Sequence, residues 1–143
     1  MKNICLDTGF FSIYYGEKSK DKHKVIDLME KIKSGEIIAH VLKPVLCELF
    51  YHLCFISGKD YANSQIVSLT NTYPLRQISL DLDLIVSTGQ IKCQDRKNLS
   101  YIDCMSIAYC ITKKIPFHTT EKMIKNIPTP TLNKLKVVTY SWG

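Results

Sequence analysis

Acids are in short supply in this chain, which matters because so much can then be learned from where they stand. Thirteen Asp and Glu oppose nineteen Lys and Arg, for a net charge of +6 and a pI near 9.0. That balance disfavours cationic partners and favours a polyanion, nucleic acid first, because phosphate contacts dominate such affinity. The densest basic run, Lys18, Lys20, Lys22 and Lys24, reads as a solvated surface. No apolar run approaches the ~20 residues that a membrane helix requires. The apolar stretch after Lys2 is broken at Asp7, too soon for a signal peptide, so no membrane role and a cytoplasmic location are expected. Six cysteines include no CxxC pair, which argues against a zinc site or a redox motif. Most lie in apolar segments, where Cys acts as a small hydrophobe, so buried free thiols are expected. Repeats, low-complexity tracts and linker composition are absent as well. Residues 1–143 are therefore expected to form a single domain, long enough to bury a core.

The pattern that is present alternates strand and helix. Residues 3–7 suggest a first strand, and 9–16 a short aromatic-rich helix or turn closing near Gly16. Between Asp21 and Lys33 the residues Val25, Ile26, Leu28, Met29 and Ile32 recur at helical spacing, and Gly35 stops that helix. A second strand is expected over 36–40. Pro44 suits a first helical turn, and the segment that follows, to Ile56, is apolar almost all round and is expected to be buried on most sides. Asp60 opens its hairpin partner, which runs to about Tyr73. A third strand is expected over 74–78, then a helix opened by Ser79 with Asp81 and Asp83 in its first turn. Another helix spans Asn98 to Lys114, a fourth strand 115–118, a possible helical turn 122–127, and a last strand 135–139. Strand–helix–strand order implies parallel pairing, so the expected architecture is a three-layer α/β/α sandwich around a central parallel sheet.

Four acids occupy positions that need explaining. Asp7 ends the first strand, where α/β folds collect ligand groups, although Asp is also a favoured helix N-cap. Glu48 sits mid-helix among Cys47, Leu49, Tyr51 and Phe55, with no Lys or Arg three or four residues away. A buried unpartnered carboxylate shifts its pKa or recruits a cation. Asp103 fits a capping box with Ser100, although Glu or Gln is usual there. Glu121 follows a strand and two threonines, repeating the arrangement at Asp7. If all four meet at one sheet edge, each pair 4 Å apart costs roughly 4 kcal/mol at an effective dielectric near 20. A divalent cation relieves that repulsion, and Mg²⁺ or Mn²⁺ prefers such oxygen ligands. The usual chemistry of such a cluster is metal-assisted phosphodiester hydrolysis.

These residues, in this order, resemble the PIN domain family, and within it the VapC-type toxins of toxin–antitoxin pairs. The resemblance rests on Leu6-Asp7-Thr8, on Pro44 to Leu49, on Leu99 to Ala108, and on Ile115 to Glu121. It implies a PIN-like parallel sheet of order 3-2-1-4-5 and metal-dependent endoribonuclease activity with Mg²⁺ or Mn²⁺. By position, Asp7, Glu48 and Asp103 match the family's three core metal-binding acids, and Glu121 matches a fourth, more often Asp. A further acid frequent two residues on is replaced by Met123. Thr8 and Thr119 match hydroxyls that hold carboxylates or water. An RNA substrate, a homodimer and a small antitoxin that reaches into the acidic site are implied as well.

Other readings are open on the sequence. One is a PIN-like module that binds RNA or protein with little or no cleavage, suggested by Glu121 and Met123; another is an RNA-processing nuclease outside any toxin pair. Phosphoryl transfer on Asp7 fits less well, because the dehalogenase pattern wants a second Asp where Gly9 stands. His40 and His118 fall at expected strand ends and are assigned structural roles.

Overall fold

The computed structural model describes residues 2–16 and 18–142. Five strands, β1 (Lys2–Leu6), β2 (Ile37–Leu42), β3 (Arg76–Ile78), β4 (Phe117–Thr119) and β5 (Val137–Thr139), form one parallel sheet of order β3-β2-β1-β4-β5. This is the expected α/β fold and strand order. The helices are α1 (Thr8–Tyr15), α2 (Lys22–Lys33), α3 (Lys43–Ser57), α4 (Lys59–Thr72), α5 (Leu82–Gln94), α6 (Tyr101–Lys113) and a one-turn α7 (Thr129–Leu132). A 3₁₀ turn covers Met123–Asn126.

β1 is central, and strand alternation sorts its side chains between two helical layers. Asn3 and Cys5 point to the α6 face. There His40 of β2 lies 2.8 Å from Asn3 Oδ1 through Nε2 and 2.7 Å from the Tyr109 hydroxyl through Nδ1. Ile4 and Leu6 point the other way and are fully buried, and α1 packs against both α2 and α3 in the second layer. Asp7 continues β1 in extended geometry, φ −95° and ψ 167°. Alternation therefore aims it at the α6 face with Cys5.

Three expectations are corrected. The α3 segment is apolar nearly all round, yet only Val45, Leu46, Leu49 and Leu53 are buried. One stripe meets the neighbouring elements, while Tyr51, Phe55 and Ile56 are 64%, 81% and 76% exposed. The cysteines are all free, but Cys47 and Cys93 are exposed, because they fall on the outer faces of α3 and α5. Ser79 does not open α5: Asp81 is its N-cap and accepts from the Leu84 backbone N–H, leaving Asp83 in the first turn. Two strands also shift: Pro116 and Leu135 precede β4 and β5 rather than lying in them.

Candidate active site

Asp7 is 4% exposed and held from two sides. The Thr8 backbone N–H donates to Oδ1 at 2.8 Å, and the Thr119 hydroxyl donates to Oδ2 at 2.7 Å. The second contact follows from register. Leu6 pairs with His118 across β1 and β4, and the Asp7 N–H donates to the His118 carbonyl at 3.0 Å, so Thr119 comes next to Asp7. Thr119 also receives the Glu121 N–H on its hydroxyl oxygen at 3.0 Å. One hydroxyl thus ties the strand-end Asp7 to the start of the loop that carries Glu121.

Asp103 reaches the same edge from α6. The capping box is formed: the Ser100 hydroxyl accepts from Asp103 N–H at 3.1 Å, and Asp103 Oδ2 accepts from Ser100 N–H at 3.2 Å. Capping and site roles are compatible, because Asp103 lies one turn before Ser106 and Ile107 and two turns before Cys110, all buried residues of α6. Glu48 arrives from α3, which follows β2 without a loop, and is half-buried. Glu121 turns back locally, with Oε1 accepting from Met123 N–H at 2.9 Å.

The acids are coupled electrostatically. Asp7 is pushed up from 3.8 to about 7, first by burial and then by the negative charge of Asp103, with Glu48 adding to it; the Thr119 and Thr8 hydrogen bonds oppose the rise. Asp103 is also raised, by burial foremost and by Glu121 and Glu48, against the Ser100 bonds. Among the described residues none of the four acids has a salt-bridge partner, which leaves Glu48 unpaired as its sequence neighbourhood implies. No three His, Cys, Asp or Glu among the described residues stand close enough for a preassembled metal cluster. The donor set nevertheless fits a hard divalent cation. It is all oxygen and carries excess negative charge, and beside it lies the buried Thr8 hydroxyl, which has no partner. Thr8 thus meets Asp7 through its backbone N–H, not its hydroxyl.

One feature escaped sequence reasoning. Gly9 is required by a close approach: a Cβ there would stand 1.9 Å from Thr120 Oγ1, so the first turn of α1 and the loop to Glu121 touch. Asp-Thr-Gly in sequence was its only sign. The histidines are structural as expected: His118 Nδ1 lies 2.7 Å from the Tyr140 hydroxyl, and burial lowers the His118 pKa to about 4.

Residues 4–129 match the model of the PIN domain family. The chain belongs to that family. No curated protein sequence matches it, but solved structures share the PIN fold. VapC20 of Mycobacterium tuberculosis, a sarcin-ricin loop cleaving toxin, superposes with a TM-score of 0.64 at 18% identity, over 78% of this chain and 84% of that one. VapBC2 of Rickettsia felis, bound to promoter DNA, gives 0.70 at 15% over 96% and 98%. DNA-bound VapBC of Salmonella typhimurium gives 0.68 at 16% over 97% and 98%. At these identities the likeness is one of fold, and this PIN domain is VapC-like in that sense. Among the described residues no helix is long and apolar enough to cross a membrane.

Proposed function

We propose that this PIN domain is a metal-dependent endoribonuclease, and the toxin of a toxin–antitoxin pair. The observation that carries the reading is the raised Asp7 carboxyl, buried and pressed by Asp103 and Glu48. Such an arrangement is unfavourable for a purely structural role and favourable for holding a cation. Asp7, Glu48, Asp103 and Glu121 are the proposed metal ligands and catalytic acids. Thr119 positions Asp7, and Thr8 offers its hydroxyl to water or substrate. A bound Mg²⁺ or Mn²⁺ supplies Lewis acidity and a water of lowered pKa. The chain itself supplies the aim: Thr8 and Thr119 fix both Asp7 oxygens, and Ser100 fixes the rotamer of Asp103.

Two exposed apolar surfaces support the proposed protein partners. Tyr51, Phe55, Ile56, Tyr61 and Trp142 line a cavity of about 930 Å³ that reaches Ser12 of α1, a surface suited to an amphipathic antitoxin segment. On α5, Leu82, Ile85 and Val86 are exposed, and the space beside Gly89 is open. Two copies of α5 laid antiparallel would set Val86 against Gly89, Leu82 against Cys93 and Asp83 against Lys92, which suits a homodimer.

The test is cleavage of single-stranded and structured RNA by purified protein with Mg²⁺ or Mn²⁺. Cleavage lost in Asp7→Asn and Asp103→Asn supports the nuclease. Binding of RNA with no cleavage under any metal would favour the binding module instead. Growth arrest on expression, relieved by a partner encoded beside it, would separate a toxin from an RNA-processing enzyme.

A further inference from the structure

A second concavity opens beside Glu121, the one of the four acids in its lining. It holds about 590 Å³ and is lined by Lys20, Lys24, Lys122 and Lys125, with Asp21 and Glu121 in the same wall. The lysines come from two segments about a hundred residues apart, the approach to α2 and the 3₁₀ turn after Glu121. All four are exposed. The two carboxylates leave the wall with two net positive charges, before any cation at Glu121.

The α2 side of this wall is pinned by hydrogen bonds. The Ser19 hydroxyl donates to the Ser141 carbonyl at 2.6 Å, and the Ser141 N–H donates to Asp21 Oδ2 at 2.6 Å. That second bond holds the Asp21 carboxyl below its usual range, helped by Lys24. Lys20 therefore stands between two residues anchored to the chain beyond β5, and Lys24 lies 3.5 Å from Asp21 Oδ1. Tyr140 closes the ring, its N–H donating to the Thr119 carbonyl at 2.9 Å. Thr119 is the residue that holds Asp7. The lysine wall and the acids are thus anchored to the same short strand.

We propose that this cavity receives the phosphodiester backbone of single-stranded RNA on one side of the cleaved bond, with Lys20, Lys24, Lys122 and Lys125 as its phosphate contacts. The proposal rests on the nuclease reading, because Glu121 is the point where cavity and acids meet. Lysine suits the task as a mobile point charge that reads charge and not sequence. The four acids alone would repel an RNA strand, and a cationic wall beside them offsets that repulsion. The basic run that resembles a solvated surface in sequence is thereby divided. Lys20 and Lys24 face the cavity, whereas Lys22 donates to the Gly16 carbonyl and Lys18 lines the apolar cavity on the far side of α1.

The test is fluorescence anisotropy with labelled single-stranded RNA and the Asp7→Asn protein, titrated from about 50 to about 200 mM salt. The quadruple change of Lys20, Lys24, Lys122 and Lys125 to Gln is compared with Lys31, Lys33, Lys59 and Lys113 to Gln. Both lose the same charge, and circular dichroism with thermal unfolding checks that each folds. Single-strand binding changes with log salt by about 0.7 per phosphate neutralised. The cavity variant should therefore lose about 2 to 3 units of slope and bind at least about tenfold more weakly at low salt, while the control variant keeps most of both. A Lys→Arg quadruple should restore the slope. If wild-type protein cuts RNA but cavity and control variants bind alike, the cavity assignment is wrong and the nuclease reading stands. If the cavity variant alone loses the slope while wild-type protein cuts nothing with any metal, the wall binds RNA and the nuclease reading falls.

Discussion

Asp7→Asn should make the metal-free protein more stable, by an amount that grows as pH rises from about 4 and levels off above about 7. The Asp7 carboxyl is raised from 3.8 to about 7 in the fold. A group so raised binds protons more tightly folded than unfolded, so stability is retained below pH 3.8 and lost as pH climbs through about 7. At about 1.4 kcal/mol per pKa unit, the full penalty above pH 7 is about 4 kcal/mol. This is an upper figure, because side-chain relaxation and water entry reduce it. Half of it would still move the midpoint of a chain this size by roughly 5 °C. His118 is held down to about 4 by burial and His40 is lowered by burial too. Both oppose stability as pH falls below their unfolded values, so the wild-type curve alone mixes opposing trends. The difference between wild type and Asp7→Asn removes the shared histidine contribution. The assay is thermal unfolding in chelator at pH 5, 6, 7 and 8, then repeated with Mn²⁺. The variant should gain on wild type from pH 5 to 7 and level off toward pH 8. Mn²⁺ at a hundred times its dissociation constant should raise wild type by about 2.7 kcal/mol and leave Asp7→Asn nearly unmoved. Because the cation displaces a proton, its affinity should weaken as pH falls below 7. A stability difference that is flat from pH 5 to 8 would refute the claim that Asp7 is a buried, repelled carboxyl. Equal Mn²⁺ stabilisation of both proteins would refute its role as a ligand.

Three further outcomes are expected. Thr119→Val removes the hydroxyl that donates to Asp7 and accepts from Glu121. Activity or Mn²⁺ affinity should fall about 10- to 100-fold, as for other residues that orient metal ligands; calorimetry showing undiminished Mn²⁺ affinity with full activity counts against it. Gly9→Ala drives a Cβ into Thr120 and should cost about 1–3 kcal/mol in urea unfolding, most of it recovered by adding Thr120→Gly; a lone Gly9→Ala at wild-type stability contradicts the close approach. If α5 pairs antiparallel, Leu82→Cys should crosslink to Cys93 of a second copy under mild oxidation, giving a dimer on non-reducing gels that Cys93→Ser abolishes. A monomer in solution with no such crosslink would remove α5 as the interface.

Much of the fold was legible in the sequence because it depends on local signals. Apolar strands alternate with amphipathic helices, so β1, α2, β2 and α6 can be placed from periodicity, and parallel pairing follows from strand–helix–strand succession, whereas the strand order came from the family resemblance. Burial was less legible, since it depends on what lies opposite. The apolar circumference of α3 implied burial on most sides, but the fold covers only the stripe at Val45, Leu46, Leu49 and Leu53. The rest is left as surface. Cys47 and Cys93 are exposed for the same reason.

The acids divide along the same line. Their identities and spacing, together with the missing partner of Glu48, are properties of the chain and were enough to mark them out. Whether Asp103 is a cap or a site residue is not a local question. Ser100 makes it a cap, while its place above Ser106 and Cys110 on the inward face of α6 turns it toward Asp7. Two things came from tertiary structure alone. The bridge from Asp7 through Thr119 to Glu121 requires β1 and β4 to lie side by side in one register. The joining of Lys20 and Lys24 with Lys122 and Lys125 in one wall requires segments a hundred residues apart to meet at the end of β5. Charge and periodicity are written along the chain, whereas register and enclosure exist only between its parts.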